Sequence, residues 1–156
     1  MAAEVGTRAP EFTLDGTDQT EAGRRSYSLS EYRGQPVVLV FYPGDNTPVC
    51  TRQLNSYTED IDSFAEAGAQ VLAISPQSVQ SHEDFSCQQG GFAFPLLADT
   101  DRAVGEAYGI LGPLGFYRRS VFVVDAEGIV RYAHRAVAGL TFRSTEDVVK
   151  AVNATS

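Results

Sequence analysis

The sequence predicts an α/β domain with a central mixed sheet flanked by helices, and three features carry that prediction. Val37-Val-Leu-Val-Phe-Tyr42 and Val71-Leu-Ala-Ile-Ser75 are continuous apolar runs, as in strands covered on both faces. The stretch between them carries apolar residues at helical spacing. Two further short strands, Val121–Val124 and Ile129–Tyr132, flank Asp125-Ala-Glu-Gly128, which reads as a hairpin turn with glycine where positive φ is usually needed.

In chain order, Thr7 to Gly34 is polar and turn-rich, with Ser28-Leu-Ser-Glu31 as a helix start, and reads as an N-terminal extension packed on the domain. The strand ending at Tyr42 is closed by Pro43-Gly44. After Thr47-Pro48, the positions Leu54, Tyr57, Ile61, Phe64 and Ala65 predict one helix running to Gly68. A second strand follows, then a helix over Ser81–Gln89 that stops at Gly90-Gly91, with His82 helping to start it. Phe94–Leu97 reads as a short extended piece, Asp101–Tyr108 as a short helix, and Gly109–Tyr117 as a glycine-rich loop able to border a site. Ser144-Thr-Glu-Asp147 resembles a capping signal for a last helix with Val148, Val149 and Val152 on its buried stripe. The order β-α-β-α-β-β-α, with two parallel strands joined by a helix and then an antiparallel hairpin, is that of a thioredoxin-like layered domain. One such domain accounts for residues 1–156, with no repeat and no linker.

Composition narrows the function. Apolar residues make up 43% and charged residues 21% of the chain, close to globular averages. A net charge of −8 repels phosphate backbones and anionic lipid, so neither nucleic acid nor membrane is an expected partner. No apolar run is long enough to span a bilayer, and no leader-like pattern opens the chain, so a cytoplasmic location is expected. Phosphate-cradling and dinucleotide-binding glycine patterns are missing, and His82 and His134 are too few for a zinc site, so no cofactor and no metal is expected. Asn153-Ala-Thr155 matches a glycosylation sequon by chance.

Two cysteines do not form a secreted disulfide scaffold, and their surroundings decide their role. Cys50 falls in the first turn of the predicted helix, where unpaired N–H groups and the positive end of the helix dipole favour a thiolate. That placement suits peroxide reduction and disulfide exchange equally, and a small buried cysteine is also consistent with it. A thioredoxin-type exchanger needs Cys-x-x-Cys, and Cys50-Thr-Arg-Gln53 lacks the second cysteine.

The segment Phe41-Tyr-Pro-Gly-Asp-Asn-Thr-Pro-Val-Cys-Thr-Arg-Gln53 resembles the signature of the peroxiredoxins, with Pro43, Thr47 and Cys50 at the matching positions. The likeness extends through Ala9-Pro-Glu-Phe-Thr-Leu14, Ser81–Phe85, Phe94–Asp99 and Arg119–Asp125, and is nearest to the bacterioferritin comigratory protein, or PrxQ, branch of the AhpC/TSA family. The resemblance implies a thiol peroxidase in which the Thr47 hydroxyl and the Cys50 backbone N–H bind the peroxide. It further implies that Pro43 shields the thiolate from water and Arg119 activates it. Gln53 stands where relatives carry Glu or Gln and is expected to hydrogen-bond the arginine or the backbone, while Arg118 is expected on the opposite face. Position 55, the site of a resolving cysteine in many relatives, is Asn here; Cys87, in the following helix, matches a second resolving arrangement. An internal disulfide recycled by thioredoxin or a similar dithiol, in a monomer or weak homodimer, is then expected. A one-cysteine mechanism with an external thiol, and a non-enzymatic redox-signalling or holdase role, are the alternatives.

Overall fold

A computed structural model describes residues 4–17, 24–45, 48–112, 115–135 and 144–154. The elements in chain order are β1 (Thr13–Thr17), β2 (Arg24–Ser28), a 3-10 turn (Leu29–Tyr32), β3 (Val37–Phe41), α1 (Pro48–Glu59), α2 (Ile61–Glu66), β4 (Gln70–Ser75), α3 (Val79–Gln88), β5 (Leu96–Ala98), α4 (Ala103–Ala107), β6 (Ser120–Val124), β7 (Val130–Arg135) and α5 (Thr145–Asn153). The strands form one mixed sheet in the order β2-β1-β5-β4-β3-β6-β7. β3, β4 and β5 run parallel, β6 lies antiparallel beside β3, and β7 pairs antiparallel with β6 at the sheet's edge.

The continuous apolar runs become the sheet's centre because helices and loops cover both faces. Alternate residues divide into two cores. Val38, Val40, Val71, Ala73, Val121 and Val123 point towards Leu54 and Tyr57 of α1, Phe64 of α2, Phe85 of α3 and Val148 and Val152 of α5. Leu39, Phe41, Leu72, Ile74, Phe122 and Val124 face Phe12, Tyr27, Tyr108 and Tyr117 on the other side.

The structure differs from the sequence expectation in three places. The N-terminal extension contributes an antiparallel hairpin, β1 with β2, whose inner strand pairs with β5 through Gly16 and Thr17. Gly16 permits this, since a Cβ there would sit 2.6 Å from the Leu96 carbonyl oxygen. The helix expected to run unbroken to Gly68 is two helices, broken at Asp60, whose φ of −101° and ψ of 20° leave the helical region. The helix expected from Ser81 starts earlier at Val79, capped by the Ser78 hydroxyl, which accepts from Ser81 N at 3.1 Å. His82 is therefore an interior, fully buried residue of α3 and does not start it. Ser144 does cap α5, accepting from Asp147 N at 3.2 Å.

The β6–β7 turn shows how a polar side chain fixes register. Gly128 has a φ of 90°. The Asp125 carboxylate accepts from Glu127 N and Ile129 N, each at 2.9 Å, and from Arg131 Nε at 2.8 Å. Burial alone would raise the Asp125 pKa, but hydrogen bonds from Ile129, Arg131 and Glu127 outweigh it and hold the carboxyl below its usual value. A carboxyl held low in the fold adds stability above its unfolded value, and that stability is lost as pH falls through the folded value. Asp125→Ala is accordingly expected to lower unfolding free energy by about 1–2 kcal/mol at pH 7. The deficit should shrink in urea melts at pH 3. Among the described residues, no helix is long and apolar enough to cross a membrane.

Candidate active site

The register of two strands brings the site together. β3 and β6 are antiparallel with Phe41 opposite Ser120, so the chain leaving β3 and the chain entering β6 lie at the same end of the sheet. Leaving β3, the chain passes Tyr42 and the half-buried Pro43 and enters α1, with Pro48 in the first turn, where proline's missing N–H costs no helical bond. Cys50 is in that same turn and is completely buried in the core beneath α1.

Arg119 sits just before β6, one step from Ser120, and is only 4% exposed. Strand alternation turns its side chain to the face carrying Val121, and there its Nη2 donates to Cys50 Sγ at 3.1 Å. Its Nη1 donates to Gln53 Oε1 at 2.7 Å, and Gln53 Nε2 donates to the Tyr57 hydroxyl at 3.4 Å. Cys50, Gln53 and Tyr57 stand at i, i+3 and i+7 of one helix, so one face of α1 supplies the sulfur and the amide that orients the arginine. Burial pushes the Tyr57 phenol up to about 12, against the opposing hydrogen bond from Gln53, so it stays a neutral hydroxyl. Arg118 is only partly buried and lies against Gly112 in the glycine-rich loop.

That loop is tied down near the site. The fully buried Asp99 carboxylate accepts from Val104 N at 3.2 Å, from Gly105 N at 2.8 Å and from the Tyr117 hydroxyl. Tyr117 is two residues before Arg119, so the same carboxylate that starts α4 also fixes the approach to β6.

A second buried group lies on the segment between β3 and α1, and sequence reasoning missed it. The Asp45 carboxylate accepts from the Tyr42 hydroxyl at 2.7 Å, from the Ser81 hydroxyl at 2.6 Å and from His82 Nδ1 at 2.8 Å. His82 Nε2 faces the Leu97 carbonyl oxygen at 2.9 Å. Each ring nitrogen thus lies within hydrogen-bond distance of an oxygen, one on the loop after β3 and one on β5, which ties the ring to both. Burial, then the charge of Asp45 and the hydrogen bond to it, push the Tyr42 phenol well above its usual value. The available signal was the spacing of His82 and Phe85, which puts both on one helical face.

The structure thus joins Cys50, Arg119 and Gln53, with Pro43 in the turn leading to them. Thr47 lies outside the described residues. Cys87 is exposed near the C-terminal end of α3, and both cysteines are free thiols.

A thioredoxin-like sheet with a buried cysteine at a helix start, held against a buried arginine, defines a thiol-chemistry protein. The family model described as AhpC/TSA family matches residues 5–133. Peroxiredoxin Q, chloroplastic, of Oryza sativa subsp. japonica is 36% identical over 131 residues, covering 83% of this chain and 58% of the rice protein. The thioredoxin peroxidase of Echinococcus granulosus is 37% identical over 138 residues, covering 84% of this chain and 70% of that one. The structure of the Xanthomonas campestris bacterioferritin comigratory protein, solved in work on its alkyl peroxide reduction activity, superposes with a TM-score of 0.82 at 30% identity, covering 97% of this chain and 98% of that one. The chain belongs to the AhpC/TSA family, in its bacterioferritin comigratory protein and peroxiredoxin Q branch.

Proposed function

We propose that the chain is a peroxiredoxin that reduces hydrogen peroxide and organic hydroperoxides at Cys50. The observation that carries this reading is the hydrogen bond of 3.1 Å from the buried Arg119 guanidinium to Cys50 Sγ. The thiolate attacks one peroxide oxygen; an S–O bond forms, the O–O bond breaks, and the distal oxygen leaves as water or alcohol after taking a proton. Negative charge grows on that leaving oxygen, so donors already aimed at it lower the barrier without reorganising. Arg119 supplies such donors, with the Thr47 hydroxyl and the Cys50 N–H as the other peroxide contacts and Pro43 as the shield against water.

Cys87 resolves the sulfenic acid: its sulfur replaces the hydroxyl on Cys50, forming a disulfide and releasing water. Asn55 Nδ2 donates to Gln89 Oε1 at 3.1 Å, so the end of α3 that carries Cys87 packs beside α1, five residues along from Cys50. Cys50 is buried and Cys87 exposed, so disulfide closure requires local unwinding. Thioredoxin or a similar dithiol then reduces the bond by thiol exchange. An internal disulfide needs no second copy, which suits a monomer or weak homodimer. A thiol-recycled enzyme works where dithiols are kept reduced, which suits the cytoplasm.

The test is Cys87→Ser. The first turnover, read as consumption of one equivalent of hydrogen peroxide, is expected to persist, while thioredoxin-driven turnover falls at least about tenfold. Full multiple-turnover activity in this variant would make the mechanism a one-cysteine one.

A further inference from the structure

The two ends of α3 are held very differently. At its N-terminal half, Ser81 and His82 both donate to the buried Asp45, and His82 is also pinned to the Leu97 carbonyl on β5. Glu83 of the same half accepts two hydrogen bonds from Arg24 on β2, at 2.9 and 2.7 Å. Phe85 is fully buried among Phe92 and the α1 face. At the other end, Ser86 is buried but Cys87 and Gln88 are exposed, and an amide contact between Asn55 and Gln89 ties this end to α1. The helix then stops at Gly90 and Gly91, with φ of 79° and 95°.

We infer that His82 and Asp45 are positioning residues that keep the N-terminal half of α3 fixed on the loop leading to Cys50, so that the helix opens only beyond Phe85. The inference rests on the reading of Cys87 as the resolving cysteine and adds how its path is constrained. Opening only the last turn keeps Cys87 tethered within a few residues of a fixed point, which maintains a high effective concentration of its thiol at the Cys50 sulfenic acid. Two reactions compete for that acid. Condensation with Cys87 forms S–S and releases water, whereas a second peroxide adds an oxygen to the sulfur and gives the sulfinic acid, also releasing water or alcohol. A clamp that shortens the search favours the first.

The experiment is amide hydrogen exchange on the full-length reduced protein, paired with the ratio of sulfinic acid to disulfide after a fixed hydrogen peroxide pulse. In the wild type, amides of residues 86–91 are expected to exchange at least about tenfold faster than those of 82–85. Uniform exchange along α3 would overturn the inference. In His82→Gln the two rates should converge, and the sulfinic-to-disulfide ratio should rise about tenfold; both arms start from the same sulfenic acid, so the speed of the first oxidation cancels. Retention of both wild-type values would overturn it. Should His82→Gln fail to fold, Ser81→Ala removes one of Asp45's donors alone and is expected to raise the ratio several-fold, an unchanged ratio again overturning the clamp. A wild type that forms no internal disulfide at all would instead defeat the Cys87 reading, while the exchange rates still decide whether α3 opens from one end.

Discussion

Serine in place of Cys50 is expected to reduce peroxide consumption to the background of the uncatalysed reaction. The change swaps sulfur for oxygen at a fully buried position, so the Arg119 donor retains an acceptor and the packing beneath α1 is nearly unaltered. What disappears is the nucleophile: a serine hydroxyl stays protonated at neutral pH, and the Arg119 guanidinium in contact with this position is a donor that cannot act as a base. Intact-mass measurement after one equivalent of hydrogen peroxide should show neither an added oxygen nor the loss of two hydrogens. Residual consumption comparable to the wild type would move the chemistry to Cys87, which is exposed and lacks the arginine contact.

Arg119→Met is expected to slow Cys50 oxidation by about 10²–10³-fold, the usual effect of removing one preorganised donor from a developing anion. Methionine keeps the length of the side chain in a nearly dry site but offers no N–H, so Cys50 and Gln53 lose a common donor together. Arg119→Lys should recover only part of the rate, because a single ammonium cannot reproduce a planar fork that reaches the sulfur and the Gln53 oxygen at once. The measurement is the second-order rate of the first oxidation in a rapid-quench experiment with thiol alkylation. Thermal melts of the three proteins separate loss of chemistry from loss of fold. An unchanged rate in Arg119→Met would assign the arginine a structural role only.

Much of this was legible in the residues, for physical reasons that differ by element. The central strands announce themselves because a strand covered on both faces must be apolar at every position, as Val37–Phe41 is. The break at Asp60 was not legible: Leu54, Tyr57, Ile61 and Phe64 keep helical spacing across it, since α1 and α2 pack on the same side of the sheet and periodicity records only which face is buried. The N-terminal hairpin was hidden by its polar, edge-strand composition. In the site, Cys50 was legible from its place in a helix's first turn, whereas Gln53 and Arg119 were expected only through the resemblance of the segments that carry them, and the arginine–glutamine bond is one of the two forms expected for Gln53. The clamp around Asp45 was invisible because its partners Asp45 and His82 lie 37 residues apart, and only the fold brings them into contact.

The pairing of Phe41 with Ser120 has a consequence for how such a chain can change over evolutionary time. Side chains alternate along β6, so the arginine beside the sulfur occupies an odd-or-even slot counted from the sheet's own ladder. Insertions in the glycine-rich loop before it change a length without changing that parity, and can be absorbed as surface variation. A single residue gained or lost between Arg119 and Val121 would turn the guanidinium to the face occupied by Phe122 and present the neighbouring side chain to the sulfur. The chemistry is thus indexed to the sheet, and the loop can vary in length only ahead of Tyr117, whose bond to Asp99 holds the approach to β6.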